Sequence, residues 1–231
     1  MNRMRISLNL HKEASIGIGA MIVFIAMVLV AGIAAAVLIQ TSTTLESQSM
    51  ASGTETIGEV SAGLTVSAIE GYAASDEDIS KIAILVRPRA GTESIDLSYC
   101  FLELSDSSKK VILNYTAPYY SKPSAGLDDI FSATVFPDDQ YGYGNPASRD
   151  GTRFGLLVMN DPDGSISSGT PLINRYDKVY ICVNTTAVFN DIAERTDITG
   201  QLIPEEGAPA TIEFTTPGSY SNAVMELFWD M

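Results

Sequence analysis

The strongest constraint on this chain is a stretch without any charged side chain, residues 14–45, close to its N-terminus. Its central part, residues 16–39, is almost entirely apolar, with the sequence IGIGAMIVFIAMVLVAGIAAAVLI. As a helix this part would span about 36 Å, which is enough to cross the hydrocarbon core of a bilayer. A helix that is apolar on every side is not stable in water, so it needs lipid or other helices around it.

The sequence after the apolar run continues the helical pattern. Residues 40–63 contain no proline and no basic cluster, and their sparse apolar positions are Leu45, Met50, Ile57 and Val60. We therefore predict one helix from about residue 16 to about residue 60. It would be roughly 65 Å long, which greatly exceeds the thickness of a bilayer.

Small residues recur within the run at a spacing that lets helices approach closely. Gly32 and Ala36 are four positions apart, and so are Ala31 and Ala35. Such small-xxx-small pairs are enriched at contacts between helices in membranes. Two environments would therefore suit this helix, namely lipid and a bundle of identical helices.

The residues before the run form a short basic leader, 1–14, that carries Arg3, Arg5 and Lys12. By the positive-inside rule this flank stays in the cytoplasm and the rest of the chain lies outside. The apolar run is too long for an ordinary secretory signal, and no small-residue cleavage box follows it. An ordinary single-pass membrane anchor remains an alternative.

The pattern changes at about residue 61, where short runs rich in Val, Ile, Tyr and Phe alternate with turn-forming residues. This pattern predicts an all-β outer domain, an immunoglobulin-like sandwich, so that the whole chain is of the α+β class. We predict a long surface loop over 116–150 and a short helical turn near 188–192. The predicted strands are 64–72, 81–87, 94–104, 110–115, 153–159, 178–184, 210–215 and 223–229.

The two cysteines, Cys100 and Cys182, are far apart and form no CxxC pair, which argues against zinc and thioredoxin-like sites. Each lies in an apolar, strand-like run. A disulfide between them is compatible with an extracellular location. Two buried free thiols are the alternative.

Two N-x-S/T sequons occur in the predicted outer domain, at Asn114-Tyr115-Thr116 and Asn184-Thr185-Thr186. Both have a permitted middle residue and lie near the ends of predicted strands. Asn114 and Asn184 are therefore candidate N-glycosylation sites if the domain is exported.

The composition argues against several function classes. The chain has 14 Lys+Arg against 28 Asp+Glu, so the basic footprint of a nucleic-acid-binding protein is missing. Its one histidine, His11, lies in the leader, which removes histidine-dependent nucleophiles and histidine-bearing zinc sites from the rest of the chain. Phosphate-binding and nucleophile-elbow motifs are also lacking. We predict neither enzymatic activity nor a cofactor.

One acidic turn resembles the start of a calcium loop. Asp161, Asp163 and Gly164 fit an EF-hand frame, but that frame places Met159 at its first position and Thr170 at its twelfth. The twelfth position normally holds a bidentate glutamate. The pattern therefore predicts a solvated acidic turn and no metal site.

Several blocks of the sequence carry a family resemblance. Residues 15–39, SIGIGAMIVFIAMVLVAGIAAAVLI, resemble the N-terminus of mature archaellins, the archaeal-type flagellins. Residues 59–73, 80–106 and 195–220 resemble the helix exit, the next strands and the C-terminal part of that family, whereas 107–170 is weakly matched. The resemblance implies a cleaved leader at 1–14, a helix at 15–60 that is membrane-inserted before assembly and forms the filament core afterwards, and an outer domain at 61–231.

The resemblance also implies a processing site. A prepilin-peptidase-like leader peptidase would cut between Ala14 and Ser15, with Gly17 at the third position of the mature chain. The leader departs from the family pattern because it ends Lys12-Glu13-Ala14 instead of basic residues followed by glycine. The fifth mature position holds glycine, where type IV pilins usually carry glutamate, and this favours an archaellin.

The function implied is that of a structural subunit of the archaeal flagellum, the rotating extracellular filament used for swimming. Its partners would be itself, paralogous filament subunits, the leader peptidase, a membrane assembly platform with its ATPase, and the membrane before assembly. Three alternatives remain. They are a subunit of a non-rotating adhesion pilus, a single-pass membrane-anchored surface domain, and a minor subunit confined to the filament base.

Overall fold

The computed structural model describes residues 2–74, 78–137 and 151–229, with side chains from residue 17 onward. The chain divides into two compact units, Met1–Glu55 and Thr56–Met231. The first unit is helical, and the second contains the end of that helix and all of the strands. Each unit is considered by itself below.

A single helix, α1, runs over Asn2–Ser61. It contains no proline, and its central part is rich in alanine and unbranched or branched aliphatic residues that are compatible with a helix. The helix ends where Gly63 adopts a φ of 144°, a conformation that residues with a Cβ rarely reach. A Cβ at Gly63 would also overlap the backbone of Ala208. The predicted continuation of the helix to about residue 60 is confirmed.

Among the described residues, the second unit holds eleven strands and one short helix after the end of α1. Two turns of 3-10 helix, Leu97–Tyr99 and Ile130–Ser132, interrupt the connections between strands. The elements are β1 (Leu64–Ala73), β2 (Ile79–Pro88), β3 (Ser94–Asp96), β4 (Phe101–Ser105), β5 (Lys110–Ser121), β6 (Arg153–Asn160), β7 (Leu172–Asn174), β8 (Lys178–Asn184), α2 (Thr185–Phe189), β9 (Asp197–Ile203), β10 (Ala210–Thr215) and β11 (Val224–Trp229).

Nine of the strands form one sheet in the order β10-β9-β4-β5-β6-β8-β2-β1-β11, and β3 and β7 pair separately. All neighbours in the large sheet are antiparallel except β5 and β6, which are parallel. The sheet curls so that its two ends approach each other. This closure is seen at the bridge between Gly63, just before β1, and Ala208, just before β10. The two layers expected of a sandwich are thus two halves of one curled sheet. A long apolar helix followed by a β-rich domain confirms the α+β class.

The main hydrophobic core lies inside this curled sheet. Residues from β1, β2, β4, β5, β6, β8, β9 and β10 contribute to it, among them Leu64, Ile84, Leu102 and Phe154, which are fully buried. Successive residues of a strand point to opposite faces, so alternate residues of β8 enter this core. Each fully buried aliphatic or aromatic side chain contributes roughly 1.5–3 kcal/mol, which makes this core the main source of stability of the domain.

A second core covers the outer face of β1, β2, β6 and β8 and corrects a prediction. Residues 116–150 were predicted to be a surface loop, but β5 extends to Ser121, and Phe131, Val135 and Phe136 pack against the sheet. The Lys81 ammonium anchors this segment because it donates to the carbonyl of Phe131 at 2.7 Å. Residues 138–150 of the predicted loop lie outside the described residues.

Three further strand and helix predictions need correction. The predicted strand 94–104 is interrupted by the Leu97–Tyr99 turn, where the Asp96 carboxylate accepts from the backbone N–H of Ser98 at 2.8 Å. The helical turn lies at Thr185–Phe189, three residues earlier than predicted, because Asn184 caps it. Strands β7 and β9 were missed, since neither shows a strong apolar alternation in the sequence.

Candidate functional site

The described part of α1 within the first unit exposes its apolar surface completely. From residue 17 to residue 55 every side chain is exposed, including large ones such as Phe24, Leu29 and Ile33. The helical segment Gly17–Ser61 is long and apolar enough to cross a membrane. Apolar surface of this extent on all sides of a helix is unstable in water, so the helix requires apolar surroundings such as lipid or other helices.

The glycines of the helix have open space around them. A Cβ added at Gly17, Gly19 or Gly32 would meet no described atom within 4 Å, the backbone of the helix itself left aside. Glycine inside a helix costs about 1 kcal/mol relative to alanine, so its presence calls for another reason. A neighbouring helix that approaches closely at Gly32 and Ala36 would supply that reason.

Hydroxyl groups mark the transition from the apolar run to the polar part of the helix. Thr41 donates to the carbonyl of Val37 at 2.9 Å, and Thr44 donates to that of Gln40 at 2.9 Å. These bonds within the helix satisfy the hydroxyls without water. The helix can therefore keep residues 41–44 in a partly apolar environment.

The predicted processing site lies inside the same helix, more than three turns after its first residue, Asn2. Gly17 is exposed and has open space around it. The side chains of Ala14 and Ser15 lie outside the described residues. The assignment of the scissile bond between them stays a prediction.

The possible disulfide is not formed in this structure, where Cys100 and Cys182 are both free and buried. Cys100 belongs to the main core, whereas Cys182 belongs to the second core on the opposite face of the sheet. Burial raises the pKa of the Cys100 thiol to about 12, and it also raises the pKa of Cys182. The alternative of two buried thiols is therefore the one that the structure contains.

The two sequons differ in their surroundings. The side chain of Asn114 is exposed on β5. Asn184 is half-buried, and its amide is used on both sides: Oδ1 accepts from the backbone N–H of Ala187 at 3.3 Å, and Nδ2 donates to the carbonyl of Pro137 at 3.0 Å. Of the two candidates, Asn114 has the geometry that accommodates a glycan in the folded domain.

A third carboxylate, that of Asp177, lies beside the acidic turn after β6, and the sequence pattern did not predict it. Carboxylate oxygens of Asp161, Asp163 and Asp177 all lie within 4.8 Å of one another. Asp177 is only 1 % exposed, and its Oδ1 has no hydrogen-bond partner. Burial raises the pKa of Asp177, and the carboxylates of Asp161 and Asp163 raise it further. A hard cation bound by these oxygens would compensate this charge.

Other groups already stabilise the turn without a metal. Lys122 Nζ lies 2.6 Å from Asp161 Oδ2, and Asp161 Oδ1 accepts from the backbone N–H of Gly164 at 2.8 Å. Hydrogen bonds to Ser165 and Asn174 lower the pKa of Asp163. The prediction of no metal site rested on the EF-hand frame alone, and Asp177, which comes from the β7–β8 turn, lies outside that frame.

Comparisons with known proteins point in one direction. The family model described as archaeal-type flagellin matches residues 14–214. Flagellin B2 of Methanocaldococcus jannaschii is 39% identical over 209 residues, covering 90% of this chain and 91% of that protein. Flagellin B3 of Thermococcus kodakarensis is 37% identical over 258 residues, covering 94% of this chain and 98% of that protein.

Solved structures agree with the fold. The crystal structure of archaeal flagellin FlaB1 from Methanocaldococcus jannaschii has a TM-score of 0.60 at 35% identity and covers 72% of this chain and 96% of that chain. The archaeal flagellum of Methanospirillum hungatei has a TM-score of 0.56 at 14% identity and covers 90% of this chain and 98% of that chain. At that identity the second match concerns the fold alone.

Proposed function

The chain belongs to the archaeal-type flagellin family, and from this premise we propose how it becomes a filament. It is a structural subunit of the archaeal flagellum and lies outside the cell in the assembled filament. The alternative of an adhesion pilus gains no support from the comparisons. The observation that supports assembly through α1 is the exposure of every described side chain between residues 17 and 55.

Assembly follows from the free energy of that exposed surface. A subunit that buries α1 against identical helices removes its apolar side chains from water, at roughly 25 cal/mol for each Å² buried. The close approach allowed at Gly32 and Ala36 lets these helices pack tightly. Contacts of this kind between identical chains are heterologous and do not close, so they generate a helical polymer. The β-rich unit, which already buries two hydrophobic cores of its own, forms the outer layer.

We propose that the chain reaches the filament through the membrane. Arg3, Arg5 and Lys12 hold the leader in the cytoplasm while α1 spans the bilayer. A leader peptidase then cuts between Ala14 and Ser15, which removes the basic anchor and lets the helix leave the lipid. An assembly platform and its ATPase supply the work of extraction. The chain itself has no catalytic role in this scheme.

N-terminal sequencing of filaments sheared from cells tests this route. Chains that start at Ser15 support it, whereas filament subunits that retain residues 1–14 contradict it. Replacing Gly17 by leucine should block cleavage and prevent filaments. Gly19→Leu is a matched control, because that glycine also has open space around it but lies outside the recognised third position. Normal processing of Gly17→Leu would refute the assignment of the site.

We further propose that Asn114 carries an N-linked glycan. Its Nδ2 would form a bond to C1 of an activated glycosyl phosphate, the phosphate would leave with the electron pair, and the amide would lose one proton. Thr116, the third sequon residue, is buried and accepts from Arg153 Nη1 at 3.2 Å. The transfer therefore takes place before β5 is fully packed.

Mass spectrometry of peptides from sheared filaments tests the modification. We expect a sugar mass on the peptide that contains Asn114, and its loss in Asn114→Gln. Asn184→Gln serves as the control and should leave the mass of the Asn114 peptide unchanged. A glycan found on Asn184 alone would overturn this assignment.

A further inference from the structure

An exposed apolar patch lies around Asn114 on the outer face of the sheet. Phe101 on β4 is paired directly with Asn114 on β5 and, on its other side, with Ile203 on β9. Side chains of directly paired residues in antiparallel strands lie on the same face, with Cβ atoms about 4.5–5.5 Å apart. Ile203, Phe101 and Asn114 therefore form one row across three strands.

The core does not require these apolar side chains. Leu102 and Leu104, the neighbours of Phe101 on β4, point inward and are fully buried. Phe101 points outward and is 47 % exposed, and Ile112, two residues before Asn114, is 57 % exposed. A cluster of exposed apolar side chains on a sheet face indicates that something covers it in the functional molecule.

The sequon itself is oriented toward this patch. Tyr115 turns inward, where its hydroxyl donates to the carbonyl of Ser168 at 2.9 Å. Thr116 is buried. Asn114 is the sequon residue with an exposed side chain, and it emerges beside Phe101.

We propose that the glycan on Asn114 covers this patch, with its first sugar lying on the ring of Phe101. This inference rests on the proposed modification of Asn114. The face of an aromatic ring carries partial negative charge, and the C–H groups on the apolar face of a pyranose carry partial positive charge. A sugar attached to Nδ2 of the directly paired residue is within reach of that ring. The sugar expected is a pyranose with several axial C–H groups on one face.

The position of the sequon favours a sugar over a second protein subunit on this face, because Asn114 is paired directly with Phe101. Lys110 and Glu103 form an ion pair beside the patch and keep its border polar. A glycan on Asn114 would also prevent another subunit from docking closely over Phe101. The glycan would thus act as a cover that stabilises the β4–β5 pair and keeps the outer surface of the filament soluble.

The test is a double-mutant comparison on the mature chain, purified from sheared filaments of the native cell. Thermal unfolding of the β-rich unit is followed in wild type, Phe101→Ala, Asn114→Gln and the double variant. We expect Phe101→Ala to lower Tm by about 2–5 °C more in the glycosylated background than in the Asn114→Gln background. Phe101→Leu, which keeps apolar area but has no π face, should lie between wild type and Phe101→Ala.

Tyr176→Ala provides the control, since Tyr176 is an exposed aromatic residue in the turn between β7 and β8, outside the β4–β5 pair. Its effect on Tm should be the same with and without the glycan. An equal Tm shift for Phe101→Ala in both backgrounds would overturn the proposal, and so would an unmodified Asn114. Filaments lost in Phe101→Ala but retained in Asn114→Gln would show instead that a second subunit covers the patch. Each of these results leaves filament formation by the wild type, and hence the proposed function, intact.

Discussion

The helix and the β-rich unit differ in the exposure of their apolar side chains. In the β-rich unit Phe154, Leu102 and Ile84 are fully buried within the chain. In the helix Leu29, Phe24 and Ile33 are exposed. One unit can therefore fold by itself, whereas the other gains most of its stability only from a membrane or from other subunits. The difference separates residues that determine folding from residues that determine assembly.

The largest expected effect concerns folding. Phe154→Ala should lower the free energy of unfolding of the β-rich unit by about 3–5 kcal/mol, because it leaves a cavity in the main core. Urea unfolding followed by circular dichroism measures this change. Met159→Ala, at an exposed position of the same unit, should change stability by less than about 0.5 kcal/mol. Similar losses for the two variants would mean that the core is not where the structure places it.

The next effect concerns assembly. Leu29→Ala should leave urea unfolding of the β-rich unit unchanged, yet destabilise filaments by about 2–4 kcal/mol per subunit if Leu29 is buried between helices. The temperature at which sheared filaments release soluble subunits measures this effect. Ser47→Ala, on the exposed polar part of α1, is the control and should barely change it. A Leu29→Ala filament as heat-stable as wild type would indicate that this side chain is not packed against other subunits.

A smaller effect on stability is expected at Asn184, the sequon residue whose amide is hydrogen-bonded within the domain. Asn184→Ala should lower the stability of the β-rich unit by about 1 kcal/mol, because it removes the cap of α2 and the hydrogen bond to Pro137. Asn184→Asp keeps an acceptor for the cap and should lose less. Thermal unfolding of the unglycosylated protein measures both. If Asn184→Ala left the thermal stability unchanged, the two hydrogen bonds of the Asn184 amide would not contribute to the stability of the folded unit.

The last effect depends on pH and cations. Burial raises the pKa of Asp177 above its ordinary value of 3.8. Because the pKa is raised in the folded state, the contribution of Asp177 to stability is fully present below pH 3.8. It is lost as the pH rises through the raised pKa of the folded state. The difference in Tm between wild type and Asp177→Asn should therefore change over this interval and be constant outside it.

A divalent cation provides the complementary measurement on the same group. At neutral pH, Ca²⁺ or Mg²⁺ should raise the Tm of wild type by binding the folded state, and chelation should reverse the rise. Asp177→Asn should respond less, because one of the three carboxylates is gone. An equal response of the two proteins would exclude Asp177 as a ligand.

The sequence by itself determined the helix and much of the function. Residues 16–39 have only apolar and small side chains, and a run of this length and uniformity has few stable environments. The archaellin resemblance is confirmed by the family match, which covers residues 14–214 and so includes this run. Strands with clear apolar content, such as β2 and β8, were also predicted, since local pattern and burial agree there.

Only the tertiary structure decided where distant residues meet. Of the two states that the sequence left open for Cys100 and Cys182, the structure has two free thiols, which lie in the two different hydrophobic cores. Asp177 joined the acidic turn, and Phe101 came to lie beside Asn114, through strand pairing between residues far apart in the chain. Such pairing depends on register and on the curl of the sheet, which are set by the packing of the whole domain and leave no signal in a local stretch of sequence.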